Sequence, residues 1–335
     1  MKQKLLTLCV LSLVFLTTTQ AGIFRVNSSL ASNVSQRLYQ TINDAVNAAS
    51  SGDTLMIEGS PLPYANATLT KPLVLIGPGY FLTQNPQTQA NGAPATVQKI
   101  EINANAGGSV LEGLTFSSNS YSYTPYIETN NVVISRCYCS NAIEIVGNIS
   151  NISIFQNYFT NSAIDVSSYS YSFTNVVFRN NFVGGNVSVS SSNENPRIFS
   201  AVENNILGSS VTLTTTTFRS NIITSTNSLS ITSGNVQNNL TAGGQLTGNG
   251  NQTYVSSSLF VGATGNSTDG QYKLQSNSPY LTAGYNGTQP GLFGGTQPYV
   301  LSGIPPVPSI YEFTADEAAN KQTGLPVSIK VKTNQ

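Results

Sequence analysis

The distribution of apolar and polar residues is dominated by two short alternating patterns that recur through the middle of the chain. One reads VLEGLTF from Val110, VVISRCYC from Val132, ISIFQNYF from Ile152, VVFRNNF from Val176, FSAVENNI from Phe199 and TTFRSNI from Thr216, with a fainter NVQNNL from Asn235. Each copy is a brief apolar strand, a polar or Asn corner, and a further apolar residue. The other pattern reads KIEIN at Lys99, YIETN at Tyr126, AIEIV at Ala142 and AIDVS at Ala163, then NVSVS at Asn186, SVTLT at Ser210 and SLSIT at Ser228. Successive copies start about 16 to 27 residues apart, the spacing of a repeat architecture.

Strands that alternate with period two bury one row and expose the other. A unit this small cannot bury its apolar row alone, whereas coils stacked about 4.8 Å apart give every strand two neighbours and a continuous core. Amphipathic helices are missing between the strands, which excludes βαβ architectures. A β-sandwich would need tight hairpins, and Asn-Gly or Asp-Gly turns are scarce here. The pattern therefore predicts an all-β, single-stranded right-handed parallel β-helix. Ahead of it, Ile42, Ala45, Val46 and Ala49 fall at helical spacing with Thr41 as N-cap, and Gly52-Asp53 leads into strands at Thr54–Ile57 and Leu73–Ile76. A short N-terminal helix of this kind caps the open end of the stack. Asn157, Asn180, Asn204 and Asn238 recur at one corner, interrupted by Cys137 and Ser220, and predict an internal Asn ladder.

The chain ends differ from this body. Lys2 and Lys4 precede an apolar run from Leu5 to Leu16, and Thr19-Gln20-Ala21 offers small residues to a signal peptidase, so residues 1–21 read as an export signal. The run is too short to span a bilayer, and Leu8 before Cys9 argues against a lipoprotein. The mature protein is thus expected to be secreted, extracellular or held at the cell surface, monomeric and without a transmembrane segment. The β-helix is expected over 22–297, with its cap from about 38, and 298–335 as a proline-rich C-terminal extension with a capping strand. After the signal, Cys137 and Cys139 are the remaining cysteines, too few for a disulfide framework and expected as buried thiols.

YQTINDAVNAASSGDTLMI, KPLVLIGPG and the repeated I-x-x-N-x-F units resemble the pectate-lyase-like superfamily of right-handed parallel β-helix proteins, over roughly Leu38 to Leu281. The resemblance is to generic secreted bacterial members of that superfamily and carries the fold further than the function. It implies proteins that bind or cleave acidic polysaccharides, adhesins or stalks. The family's lyases use an Asp-rich calcium cluster with a basic residue as base, a motif not found in this chain.

Lys plus Arg and Asp plus Glu are 14 each, so the chain lacks the basic excess that nucleic acid requires. Only 8% of residues are charged, which leaves Ser, Thr, Asn and Gly to make the surface. There is no histidine, so a Ser-His-Asp triad, a histidine base and the commonest zinc sites are excluded. No phosphate-binding or dinucleotide motif occurs, and no cofactor is expected. Chemistry must then rest on carboxylates, Tyr, Lys or Arg.

In the second pattern the central polar position is Glu101, Glu128, Glu144 and Asp165, continuing as Ser188, Thr212 and Ser230. As an outward file with one acid per coil, these would stand about 5 Å apart. Like charges so close raise one another's pKa unless a cation lies between them. Glu101, Glu128, Glu144 and Asp165 are therefore candidate calcium ligands. Glu128, Glu144 and Asp165 are candidate catalytic acids, near the separation used by retaining glycosidases. The alternative is a solvated strand edge. Tyr121, Tyr123, Tyr126, Tyr169 and Tyr171 cluster in two corner insertions and are candidate sugar-stacking rings, the chain having no Trp. Arg136, Arg179 and Arg219 recur at one corner, where Arg136 and Arg179 could meet a uronate carboxylate or pair with Glu112 or Glu203. Thr-x-Thr rows suggest ice binding, but the coils vary too much in length for it. The expected function is a non-catalytic module binding a polysaccharide or cell-surface glycan. The alternatives are a polysaccharide lyase or glycoside hydrolase using the acid file, and a purely structural stalk.

Overall fold

The computed structural model describes residues 21–117, 124–319 and 324–334. The export-signal residues 1–20 and the ring candidates Tyr121 and Tyr123 lie outside the described residues.

The strands form three parallel sheets of fourteen, eight and five strands, and a separate two-stranded antiparallel hairpin. One coil supplies Ile143–Ile145 to the five-stranded sheet, Ile149–Phe155 to the fourteen-stranded sheet and Tyr158–Phe159 to the eight-stranded sheet. The next coil repeats the order with Ile164–Val166, Phe173–Arg179 and Phe182–Val183, in register at Ile143↔Ile164, Ser153↔Val177 and Tyr158↔Phe182. The chain is all-β with stacked parallel strands, the arrangement of a parallel β-helix. The later strands Val187–Ser188, Val211–Thr215 and Leu229–Thr232 join the large sheet through Ile198↔Thr214 and Phe199↔Thr215.

Period-two alternation explains the core. In the large sheet Leu55, Leu75, Leu111, Ile134, Ile154, Phe178, Val202, Phe218 and Val236 stack one above another. The eight-stranded sheet adds Phe116, Cys139, Phe159, Val183, Leu207 and Ile223 to the same interior. Burying each such side chain contributes about 1.5–3 kcal/mol. Cys137 and Cys139 are free and buried, as their spacing predicts, and burial pushes the Cys137 thiol up to about 12. At the N-terminal end, helix Ile42–Ala48 covers the stack with Ile42, Ala45 and Val46, and Thr41 accepts from the Asp44 amide at 3.1 Å. A strand at Ile23–Val26, which the sequence pattern does not mark, forms a rung ahead of Thr54–Ile57.

The single Asn column expected at the corner resolves into two adjacent files. The buried ladder is Asn157, Asn181, Asn205, Asn221, Asn239 and Asn251, where each Nδ2 donates to the next Oδ1 at 2.9–3.2 Å. Each backbone N–H donates to the same oxygen. Cys137 belongs to this file, its amide donating to Asn157 Oδ1 at 2.9 Å. The preceding residues form the other file: Gly113, Arg136, Gln156, Asn180, Asn204, Ser220 and Asn238 all have φ between 50° and 66°. Asn180, Asn204 and Asn238 thus make the left-handed corner that Asn tolerates, and their neighbours make the ladder.

Side chains of the left-handed file hold a returning strap. After the last coil the chain runs back along the outer face of the eight-stranded sheet. There Tyr254, Leu259, Leu274, Tyr280, Leu292 and Tyr299 pack with Tyr158, Phe182, Ile206, Ile222 and Leu240 in a second core. Asn238 donates to the Ala283 carbonyl, Asn204 to Gln289, Asn180 to Leu292 and Gly294, Gln156 to Gln297 and Pro298, and Arg136 to Ile304. The strap therefore traverses the stack from its last coils to its first. Within the described part of 298–335, expected to supply a capping strand, Tyr299 lies beside Tyr80 near the first coils, the two sharing a 2.5 Å hydrogen bond. The chain continues into the hairpin Ser309–Ala315 with Val327–Lys332.

Candidate functional site

Two constellations stand out among the described residues: a file on the outer face of the five-stranded sheet, and a cleft where the strap crosses the large sheet.

In the first, Ala67–Leu69, Lys99–Ile102, Thr124–Ile127, Ile143–Ile145 and Ile164–Val166 lie side by side. Ile100, Ile102, Ile127, Ile143 and Ile145 point into the core, so the residues between them face outward. The register makes that outward file Thr68, Glu101, Tyr126, Glu144 and Asp165. Glu128 is not in it. Ile127 pairs with Ile102, so Glu128 belongs to the next outward row, beginning at Asn103, and is exposed. The expected four-acid file is therefore interrupted by a ring, and Glu144 and Asp165 are its directly adjacent pair of acids.

The interruption changes the electrostatics. Lys99 forms a short ion pair with Glu101 and lies 4.8 Å from the centre of the Tyr126 ring. Hydrogen bonding from Lys99, with Thr68 Oγ1 donating at 3.1 Å, holds the Glu101 carboxyl below the usual range. On the other side of the ring, burial and the neighbouring Asp165 charge raise the Glu144 carboxyl, against the opposing effects of Tyr126 and Lys99. Burial, then the Glu144 charge, raises the Tyr126 phenol. Asp165 Oδ1 accepts from the Val166 amide at 2.8 Å. Among the described residues, no group of three or more His, Cys, Asp or Glu side chains is placed to hold a metal ion.

Of the remaining rings, Tyr169 is 92% exposed and Tyr171 half-buried. Their insertion is pinned from beneath by Arg197, which donates to the carbonyls of Ser168 at 2.8 Å, Tyr171 at 3.0 Å and Ser190 at 3.3 Å. Sequence reasoning missed Arg197 because the repeat legible in the sequence begins at Phe199, two residues after it, although Arg197 takes the strand position held by Ile149 and Phe173 in the preceding coils.

The arginines do not share one row. Arg136 lies in the left-handed file, buried, with Nε donating to Gln156 at 2.8 Å and Nη1 to the Ile304 carbonyl at 2.8 Å. Glu112 is 3.5 Å away. These bonds spend Arg136 on the strap. Arg179 and Arg219 do share a row, with Glu203 between them. Glu203 is 2.8 Å from Arg179 Nε and 2.7 Å from Arg219 Nε. Tyr285, carried by the strap, stacks 4.1 Å from the Arg219 guanidinium. Together with Asn286, Thr288 and Thr296 they surround a cleft of about 270 Å³. A larger cavity, about 680 Å³, separates the C-terminal hairpin from Met56, Ile76 and Pro78 of the first coils.

No protein-family model matches the chain, and neither the curated proteins nor the solved structures give a match. Among the described residues, no helix is long and apolar enough to cross a membrane.

Proposed function

We propose that the chain is a secreted or cell-surface right-handed parallel β-helix of the pectate-lyase-like kind, which binds a polysaccharide or cell-surface glycan without cleaving it. The contact is the outer face of the five-stranded sheet. The observation that carries this reading is the fixed ring of Tyr126: Lys99 lies over it, and Glu101 and Glu144 stand on the neighbouring strands of the same file. A ring held in place loses little freedom on binding, and its apolar face with a polar rim suits the stacking of a sugar. Tyr169, exposed on the insertion that follows Ile164–Val166, is the second candidate ring.

A glycan array and affinity electrophoresis test this. Tyr126→Ala and Tyr169→Ala are expected to weaken glycan retention by tenfold or more with the melting temperature little changed. Retention equal to wild type in both variants would remove the face from the function.

One observation favours a second reading. Glu144, with its raised carboxyl, is directly paired with Asp165, as in the acid and nucleophile of a retaining glycosidase. Incubation with acidic and neutral glycans would then release new reducing ends, and Glu144→Gln would abolish the release.

A further inference from the structure

We infer that the cleft between Arg179, Arg219 and the strap is an oxoanion-binding site, distinct from the Tyr126 face and independent of it. The charge count is simple: two guanidiniums face one carboxylate, leaving the cleft one positive charge in excess, in a chain whose formal net charge is +0. Attraction there is a property of the cleft, not of the whole protein.

The Glu203 side chain is 9% exposed, against 36% for Arg179 and 29% for Arg219, so an incoming group meets the cations while the anion is sealed beneath them. Arg179 Nε is buried and lacks an aligned hydrogen bond, although Glu203 Oε2 is 2.8 Å away. A guanidinium so placed retains donors for a planar or tetrahedral oxoanion, which Arg engages through paired N–H groups. Arg219 is held by the Tyr285 ring, so less side-chain freedom is lost on binding.

The strap completes the site. Tyr285 N–H donates to Ser220 Oγ at 2.9 Å and the Gly291 amide to the Ser220 carbonyl at 2.7 Å, fixing the loop that brings Tyr285, Asn286, Thr288 and Thr296 over the arginine row. With about 270 Å³ the cleft takes a sulfate, phosphate or carboxylate group together with part of the molecule bearing it. The shared chemistry is the oxoanion, free or carried on a polymer.

The test is calorimetric titration at constant ionic strength set with chloride, using inorganic sulfate, inorganic phosphate and dextran sulfate, with uncharged dextran as control. Wild type is expected to bind at least one oxoanion probe and not dextran. Response to the inorganic ions identifies a free-ion site; response to dextran sulfate alone identifies a polymer-borne group. Arg179→Gln and Thr296→Glu are each expected to weaken that binding at least tenfold. Thr296→Glu adds a carboxylate at the cleft mouth and keeps the test open if the arginine variant folds poorly. Glu203→Gln, which removes the competing carboxylate, is expected to bind severalfold tighter, a sign that a merely structural ion pair would not give. Absence of binding by every probe, or equal binding in wild type and Thr296→Glu, would overturn the assignment. Tyr126→Ala is expected to leave this binding intact, which separates its failure from that of the glycan-face reading.

Discussion

Arg136 and Ile304 are 168 positions apart in sequence and 2.8 Å apart in space, the guanidinium of one donating to the carbonyl of the other. The contact joins an early corner of the stack to a strap that has already passed its last coils. Replacing Arg136 by Asn, which tolerates the left-handed backbone there, removes this bond, the bond to Gln156 and the charge beside Glu112 while keeping the corner. The expected cost is at least about 2 kcal/mol, the range for one hydrogen bond to a charged group. Urea denaturation reads it. Hydrogen exchange should also speed up over residues 297–304, and unchanged protection there would show that the bond does not hold the strap.

Asn205 sits at the centre of the buried ladder, accepting from the Asn181 amide and side chain and donating to Phe178 and Asn221. Asn205→Leu removes the side-chain acceptor of the Asn181 amide, one of two acceptors of Asn181 Nδ2, and the donations to the Phe178 carbonyl and Asn221 Oδ1; a buried group left unsatisfied costs about 1–3 kcal/mol. The variant is expected to lose at least as much stability as Phe178→Ala, a cavity mutation worth about 3–5 kcal/mol. A loss below 1 kcal/mol in equilibrium denaturation would contradict the ladder's role.

Opposite pH responses are expected on the two sides of Tyr126. The Glu144 carboxyl is raised in the folded state, so its contribution is fully present below the unfolded pKa and fades as pH rises through the folded one. Glu144→Gln should therefore be the more stable protein at neutral pH, and the gap should close as pH falls through the carboxylate range. The Glu101 carboxyl is lowered, so its contribution is present above the unfolded pKa and lost as pH falls through the folded one. Glu101→Gln should be the less stable protein at neutral pH, with the deficit vanishing in acid. Thermal midpoints across pH check both signs; parallel curves for the two variants would refute the assignment.

Gly291 is a close point of contact between the strap and the stack. A Cβ there would stand 2.5 Å from Ile222 Cδ1, and its φ of +75° is strained for other residues. Gly291→Ala is expected to cost about 1–3 kcal/mol by overpacking and to raise protease sensitivity within 283–304. A fold that absorbs the methyl without either change would mean the strap is loosely seated.

Much of this architecture was legible in the repeats. The pairing of Glu144 with Asp165 follows from the equal layout of AIEIV and AIDVS, and helix Ile42–Ala48 from its cap and spacing. Glu128 falls in the neighbouring row because YIETN, whose acid matches the other copies by eye, forms its strand as Thr124–Ile127 with Tyr126 at the outward position. Tandem pairs such as Asn180-Asn181 and Asn204-Asn205 carry both files of the Asn corner, and composition does not distinguish the member that bends from the one that bonds. The strap has no period to read. One signal did exist: the short strands Tyr158–Phe159, Phe182–Val183 and Ile206–Leu207 are apolar at both positions. A strand apolar on both faces must be covered on both.

The strap also alters how such a molecule comes apart. A stack whose rungs touch only their neighbours unravels from either end, one rung at a time, because losing a terminal rung costs a single interface. Here a tether runs the length of the stack, and the residues that clasp it are spread over six successive corners from Arg136 to Asn238. Peeling the last rung strips its clasp as well, so fraying at one end is coupled to the grip at the other.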